Sequence, residues 1–264
     1  MTEAPLTAGN ARLKELRKLS RRSVRTERRL FLADGPNAVQ AALEAGAVDE
    51  VFVGPGRDHL LPEAPEGVRV TRVDERALAS LSDAVTPAGV VALCRPVDVP
   101  LAEALSSARL VAVCADVRDP GNAGTVIRCA DAAGADAVVL AGSSVDAYNP
   151  KTVRASVGSL FHLPVAVEPS AAAAVAAAKA AGLTVLAADG GGEVGLYDAP
   201  LAGPTAWLFG NEAWGLPADV AALADQRVRI PIHGRAESLN LATAAAICLY
   251  ASARVQHRQD RPTT

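Results

Sequence analysis

Short, continuous apolar runs alternate along this chain with segments whose apolar residues recur at helical spacing. The valine-rich runs at 48–53 and 89–94 have the length of buried strands. The segment 36–46 opens on proline and closes on glycine, as helices commonly do. With a further strand at 67–73 and a helix at 74–84, the pattern predicts a compact α/β unit that ends near residue 95.

From residue 109 the alternation becomes more regular and ends in a long apolar helix. Strands are predicted at 110–116, 136–142, 183–189, 205–210 and 227–232, and helices at 123–133, 152–159, 170–181 and 217–224. Because alternating strands and helices form a mainly parallel sheet covered on both faces, we expect one α/β domain over 109–264. A proline-containing linker, 96–108, separates it from a small domain over 1–95.

Composition narrows the class of protein. Half of the 264 residues are hydrophobic but only 3% are aromatic, so the core is expected to consist of alanine, valine and leucine. The four cysteines are scattered without a CxxC pair, which predicts reduced thiols rather than zinc ligands or disulfides. The N-terminus has no apolar signal region, and no apolar run approaches about 18 residues. We therefore expect a cytoplasmic protein that does not span a membrane.

The charge is unevenly distributed. The net charge is −3, yet residues 11–29 contain nine basic and two acidic side chains, a net charge of +7. Clustered positive charge is what binding to a phosphate backbone needs, because each neutralised phosphate releases counterions. Arg21, Arg22, Arg25 and Arg28 are the candidate contacts to a nucleic acid. The alternative, a solvated helix face that serves solubility, stays open.

Three polar stretches follow predicted strands, where ligands bind in parallel α/β sheets. They are "DVRDPGNAGTVIRCADAAG" at 116–134, "LFGNEAWGLP" at 208–217 and "IPIHGRAESLN" at 230–240. No G-x-G-x-x-G motif follows a strand and no P-loop occurs, which disfavours nicotinamide and nucleoside-triphosphate chemistry. The glycine-rich "DGGGEVG" at 189–195 is interpreted as a loop.

The first two stretches each contain residues with more than one interpretation. Asn122 is suited to cap the helix that follows it. Arg128 lies in an apolar part of that helix, where a guanidinium is unfavourable unless it is paired with an anion. Gly210 and Gly215 bracket Glu212, and glycine permits a ligand to approach the backbone closely.

The third stretch raises the same choice. Ser238 and Asn240 immediately precede the long apolar helix. Serine and asparagine accept hydrogen bonds from the free N–H groups of a first helical turn. They are also suited to binding a ligand, so both interpretations stay open at this point.

Together, and in this order, the three stretches resemble the motifs of the SpoU (TrmH-like) RNA ribose 2'-O-methyltransferases of the SPOUT superfamily. The resemblance rests on Asn122 and Arg128 followed by "ADAAG", on "FGNE" before Gly215, and on "IPI…SLN". "NPKTVRASVGSLFHLPV" at 149–165 is similar to the family's segment between the first two motifs, so the resemblance covers most of 109–256. "RRLFLADGPNAV" resembles the substrate-binding domain of many members, with Asp34 where many have glutamate.

The resemblance implies a function and a fold. It implies methylation of a ribose 2'-hydroxyl with S-adenosylmethionine as cofactor, and is closest to bacterial enzymes acting on 23S ribosomal RNA (rRNA). It also implies a deep trefoil knot and a homodimer formed through apolar helices beside that knot. By the same resemblance, main-chain groups at Gly210, Ile230 and Leu239, with the strand end at Leu186, would contact the cofactor. A tRNA methyltransferase and a non-catalytic RNA-binding protein of the same fold remain alternatives.

The resemblance also assigns roles to side chains. Arg128 would anchor a phosphate of the RNA, and that phosphate or a transiently neutral guanidine would take the hydroxyl proton. Glu212 would orient Asn122 and Arg128, whereas Ser238 and Asn240 would position the nucleotide. Arg154 would provide a second phosphate contact. No metal is expected, because a sulfonium carries its own activated leaving group.

Overall fold

The computed structural model describes residues 4–61 and 67–259. The chain forms two compact units, one made of Met1–Val97 and Asp146–His162 and the other of Asp98–Val145 and Leu163–Thr264. It therefore passes from one unit to the other three times.

The predicted helices and strands all occur, in the predicted order, together with several further elements. Up to Cys94 they are α1 (Ala11–Arg17), α2 (Arg22–Arg28), β1 (Phe31–Asp34), α3 (Pro36–Glu44), β2 (Val48–Val53), β3 (Arg69–Arg72), α4 (Glu75–Leu81) and β4 (Val90–Cys94). Beyond it they are α5 (Leu101–Ala104), β5 (Leu110–Ala115), α6 (Pro120–Ala132), β6 (Ala137–Ala141), α7 (Pro150–Ser156), β7 (Val165–Glu168), α8 (Ala171–Ala180), β8 (Thr184–Ala188), β9 (Val194–Gly195), β10 (Thr205–Phe209), α9 (Ala218–Ala221), β11 (Gln226–Arg229) and α10 (Leu241–Gln259).

The first unit contains a four-stranded sheet in the order β1-β4-β2-β3. β4 is antiparallel to both of its neighbours, and β2 is parallel to β3. The basic segment packs on this sheet through its leucines, since Leu13, Leu16 and Leu19 are buried in one cluster with Phe52 and Leu78. α1 is therefore amphipathic, and the basic segment belongs to the folded unit.

The arginines of the basic segment differ in exposure. Arg25 is only 4% exposed: its Nη2 lies 2.6 Å from the Asp146 carboxylate, and its Nη1 donates to the carbonyls of Leu19 and Ser20 at 2.8 Å each. The burial of Arg25 and its ion pair with Asp146, whose side chain is 15% exposed, argue against the expected contact of Arg25 with RNA. Arg28 forms an exposed ion pair with Glu15 (2.8 Å), whereas Arg21 and Arg22 are exposed.

Residues 146–162 pack with the first unit, although the sequence pattern placed them in a domain that begins at 109. Aromatic packing is the main physical reason. The Phe31 ring centroid lies 4.5 Å from that of Tyr148 and 6.0 Å from that of Phe161. Gly158 has a left-handed φ of 98° and lies against the Asn37 carbonyl, where a side chain would not fit. The segment that follows β6 therefore packs in the core of the first unit.

The second unit contains a parallel seven-stranded sheet in the order β7-β6-β5-β10-β8-β11-β9. Its core consists mainly of alanine, valine and leucine, as the composition predicts. Trp207 is fully buried and donates its indole N–H to Ser252 of α10 (2.9 Å). The edge strands β7 and β9 were not predicted, because β9 has two residues and β7 follows a proline in a segment with no alternating pattern. Within the described residues, no helix is long and apolar enough to cross a bilayer.

We expect Arg25→Met to destabilise the protein by about 3 kcal/mol in urea unfolding, because it leaves the mostly buried Asp146 carboxylate without its partner. The double variant with Asp146→Asn should recover part of this loss, because asparagine is neutral and still accepts the Tyr148 N–H bond (3.0 Å). Arg22→Met is the control and should change stability by no more than about 0.5 kcal/mol. Equal effects of Arg25→Met and Arg22→Met would contradict the structural role of Arg25.

Candidate active site

Four adjacent strands of the second unit bring polar loops together. β5, β10, β8 and β11 are neighbours and run parallel, so their carboxyl ends meet at one edge of the sheet. The three stretches singled out in the sequence follow β5, β10 and β11. The loop after β8 is the fourth contributor to this edge, although the sequence interpretation gave it no functional part.

These loops enclose a cavity of about 280 Å³. It is lined by Ala188, Asp189, Gly190, Phe209, Gly210, Asn211, Glu212, Ala213, Gly215, Val228, Ile230, Ile232, Glu237, Ser238, Leu239, Leu241 and Ala244. Gly210, Ile230 and Leu239 are thus in its wall. Leu186 is not, because it is fully buried inside β8 with a strand paired on either side. The wall on this strand begins at Ala188, where β8 ends, so the structure does not place Leu186 in the cavity.

The loop after β10 is a rigid turn. Asn211 and Gly215 exchange backbone hydrogen bonds of 2.9 Å each, and the Asn211 side chain accepts from the Ala213 N–H (2.8 Å). The same side chain donates to the Asp116 carbonyl at the end of β5 (2.7 Å). A Cβ atom on Gly210 would lie 2.3 Å from the Gly215 carbonyl carbon. Glycine is therefore required at 210 by the turn itself.

A row of three polar side chains connects the three predicted stretches. Asn240 donates from Nδ2 to the Asn122 Oδ1 (3.0 Å), and Asn122 donates from Nδ2 to the Glu212 Oε1 (3.2 Å). The Asn240 Oδ1 also accepts from the N–H groups of Ala242 (2.9 Å) and Thr243 (3.3 Å). Asn240 therefore caps α10 and orients Asn122, so capping and site formation are two roles of one residue.

Backbone donors fix the position of Glu212. Its carboxylate accepts from the N–H groups of Arg118 (3.2 Å) and Asp119 (3.1 Å) in addition to the Asn122 amide. Burial raises the pKa of Glu212, but these hydrogen bonds and one from its own N–H outweigh it, and its pKa is lowered from the usual 4.5. The carboxylate is ionised at neutral pH and acts only as an acceptor.

Asp119, rather than Asn122, caps α6. Its carboxylate accepts from the Asn122 N–H (2.8 Å), and the helix begins at Pro120. Asn122 lies inside the first helical turn, so its side chain is available for the contacts to Asn240 and Glu212.

Arg128 does not have the surroundings expected for it. It is exposed on α6, so the argument from the energetic cost of burying a guanidinium does not apply. It makes no hydrogen bond or ion pair with any residue that the structure describes, and the expected contact with Glu212 is not formed. Six residues are about one and two-thirds helical turns, so Arg128 and Asn122 point in different directions.

The two remaining predicted residues also differ from expectation. Ser238 lines the cavity, but among the described residues its side chain makes no capping bond to α10. Arg154 lies on α7 in the first unit and forms an ion pair with Asp83 (3.1 Å).

The loop after β8 contains the main feature that the sequence interpretation missed. Asp189 lines the cavity, and its carboxylate accepts from the Gly191 N–H (2.8 Å). Arg229 of β11 donates to the carbonyls of Gly192 and Glu193 at 2.8 Å each, which fixes the loop. The position of "DGGG" directly after a strand was the signal available in the sequence.

Two of the buried thiols are held in the protonated form. Burial raises the pKa of Cys114 and of Cys248 to about 12, so neither thiol forms a thiolate near neutral pH. No group of three or more metal-ligating side chains occurs in residues 4–61 and 67–259.

Comparisons with known families match both parts of the chain. Residues 109–250 match the model of the SpoU rRNA Methylase family, and residues 10–92 match the MRM3-like substrate binding domain. The first match contains all of the cavity-lining residues and the row formed by Asn240, Asn122 and Glu212.

Full-length relatives are also similar. The 23S rRNA (guanosine(2553)-2'-O)-methyltransferase RlmP of Bacillus subtilis is 36% identical, over 92% of this chain and 96% of that protein. The 23S rRNA (uridine(2479)-2'-O)-methyltransferase of Streptomyces viridochromogenes is 34% identical, over 94% and 91%. The crystal structure of an AdoMet-bound rRNA methyltransferase from Sinorhizobium meliloti superimposes with a TM-score of 0.82 at 34% identity, over 93% and 95% of the two chains.

Glu212 should contribute to stability in a pH-dependent way. A carboxyl whose pKa is lowered by folding stabilises the protein above its ordinary pKa of 4.5, and this contribution is lost as the pH falls through the lower folded value. We therefore expect Glu212→Gln to be less stable than the wild type at pH 7 and the difference to shrink below pH 4.5. Chemical unfolding of both proteins between about pH 3 and pH 7 measures this difference in the free energy of unfolding. A difference that is constant with pH would show that the hydrogen bonds do not favour the ionised form.

Proposed function

The chain belongs to the SpoU rRNA Methylase family, and we propose that it transfers a methyl group from S-adenosylmethionine to a ribose 2'-hydroxyl in 23S rRNA. The observation that carries this proposal is the row formed by Asn240, Asn122 and Glu212, of which Glu212 lines the cavity. It joins three segments that are distant in sequence at the edge of a parallel sheet where ligands bind. The activities of the full-length relatives supply the substrate class.

The cavity has the chemistry that the cofactor requires. Glycines at 190, 210 and 215 line the cavity without side chains, so a ligand can approach the main chain closely, while Phe209 and Val228 provide apolar wall. The carboxylates of Asp189 and Glu237 also line it and suit the positive charges of a sulfonium and an ammonium group. S-adenosylmethionine, when bound, supplies an electrophilic methyl group on its sulfonium centre.

The polar side chains near the cavity have different roles in the proposed reaction. Asn122 is held at both ends, yet its amide retains a second hydrogen with which to bind the nucleotide. Ser238 presents a hydroxyl at the cavity wall. Arg128 is exposed and unpaired among the described residues, so its guanidinium is available to a phosphate of the RNA. The proton of the 2'-hydroxyl would pass to that phosphate or to a transiently neutral guanidine.

The first unit would hold the RNA through its exposed cations. Arg21 and Arg22 are suited to phosphate contacts, and Arg28 would contribute less because Glu15 already pairs with it. Arg154 is also partly neutralised, by Asp83. Arg25 is removed from this set by its burial.

Incubation with labelled S-adenosylmethionine and unmodified bacterial rRNA and tRNA tests the proposal. We expect label in 23S rRNA, located by mapping of 2'-O-methyl groups. Label confined to tRNA would overturn the rRNA assignment, and cofactor binding without transfer to either RNA would make the protein a non-catalytic binder.

Arg128→Lys should reduce the rate of methyl transfer roughly 100-fold, the scale for a group positioned in proton transfer, because lysine lacks the planar fork that fixes phosphate oxygens. Cofactor affinity should be unchanged, since Arg128 is not in the cavity wall. Arg109→Lys, an exposed change at the other end of β5, is the control and should keep full activity. Single-turnover assays beside thermal melts measure both effects. A stable Arg128→Lys enzyme close to full rate would rule out this role.

We also propose that the protein forms a homodimer through α10. Apolar side chains on the outer face of this helix, Ile247 and Tyr250 among them, are partly or largely exposed. Multi-angle light scattering at micromolar concentration should give twice the mass of the chain. An active monomer at that concentration would contradict this proposal.

The deep trefoil knot and the cytoplasmic location remain proposals as well. β10 lies between β5 and β8 although β8 precedes it in the chain, and such an order is compatible with a C-terminal segment that threads a loop.

A further inference from the structure

The chain contains two tryptophans in very different environments. Trp207 is fully buried in β10, whereas Trp214 is 59% exposed in the turn that follows the same strand. A large aromatic ring on the surface is notable in a chain with only 3% aromatic residues. Its position next to the candidate active site distinguishes it from the other exposed aromatic side chains.

The backbone holds Trp214 firmly. Its turn is closed by the reciprocal hydrogen bonds of Asn211 and Gly215, and Asn211 is itself buried and bonded to the Asp116 carbonyl. A side chain on such a turn loses little backbone entropy when it binds a partner. The backbone that carries the indole is therefore preorganised before a partner binds.

Trp214 is outside the cavity although its neighbours are part of it. Ala213 and Gly215 line the cavity, but Trp214 does not. Its ring is consequently available to something other than the cofactor.

The surroundings of this ring favour a nucleic acid over an apolar protein surface. Two residues before it, Glu212 is bonded to the backbone of Arg118 and Asp119. The Arg118 side chain is exposed. An exposed aromatic ring on a turn whose other residues join charged segments is typical of sites where bases stack on a ring and cations contact phosphates.

We propose that Trp214 is a stacking platform for an unpaired base of the RNA substrate, next to the nucleotide that is methylated. This inference rests on the proposed function. Stacking would fix the RNA at the rim of the cavity, because the turn that carries the indole also carries Glu212.

The two tryptophans make this measurable in the full-length protein. Stacking on a base should quench the emission of exposed Trp214 and leave that of buried Trp207 unchanged. The probes are a 23S rRNA transcript, a single-stranded oligoribonucleotide of mixed sequence, and an abasic version of that oligonucleotide. We expect quenching by the first two and little by the abasic strand, which retains the phosphates but not the bases.

Variants separate stacking from general binding. Trp214→Ala should weaken RNA affinity roughly 5- to 100-fold, the range for loss of one stacked base, and leave cofactor affinity unchanged. Trp214→Phe should retain most of the RNA affinity because it keeps a ring. Tyr197→Ala is the control, since Tyr197 is 75% exposed in the same unit and does not line the cavity; its RNA affinity should equal that of the wild type.

The outcomes distinguish this inference from the proposed function. If RNA is bound and methylated while Trp214 emission is unchanged and Trp214→Ala binds normally, the stacking platform is overturned and the methyltransferase stands. If no RNA is bound or methylated, the proposed function fails and the platform fails with it. Quenching that rises with protein concentration in the absence of RNA would identify a second copy of the chain as the partner and also overturn the inference.

Discussion

The side-chain amide of Asn122 is the contact on which the candidate site depends. Its oxygen accepts a hydrogen bond from Asn240, 118 positions later in the chain, and its nitrogen donates one to Glu212, 90 positions later. An amide can do both at once because its oxygen and nitrogen point in different directions. Replacement by aspartate would lose the donor and place two carboxylates side by side, so the residue type follows from the geometry.

The order of the strands explains why such a contact is possible. β10 lies between β5 and β8, and β11 lies beyond β8. Four chain segments therefore end at one edge, and each supplies a short loop. Close backbone approach at Gly210 and the Asp116 carbonyl bond to Asn211 then fix two of these loops against each other. The site is rigid because its shape follows from the backbone as much as from side chains.

The sequence pattern predicted the strands and therefore the edge at which the polar loops meet. It could do so because apolar periodicity depends on local residues alone. Burial of Arg25 could not be predicted in this way, since its partner Asp146 is 121 residues distant. The same limit applies to Arg128: helical periodicity indicated an apolar surrounding, but only the packed helix reveals that this side chain is exposed. The loop after β8 was recognisable, because Asp189 follows a strand, yet its glycines were interpreted only as a turn.

The three passages of the chain between the two units have a consequence for modular evolution. A unit built from one continuous stretch can be exchanged between relatives by a single recombination event. Here such an exchange of residues 1–95 would separate Phe31 from Tyr148 and Phe161, and Arg25 from Asp146. The incoming sequence would have to match aromatic and charged partners encoded far downstream. Substrate recognition and the catalytic domain are thus inherited as a pair, and a change of RNA target is expected to arise by substitutions on the surface rather than by exchange of the domain.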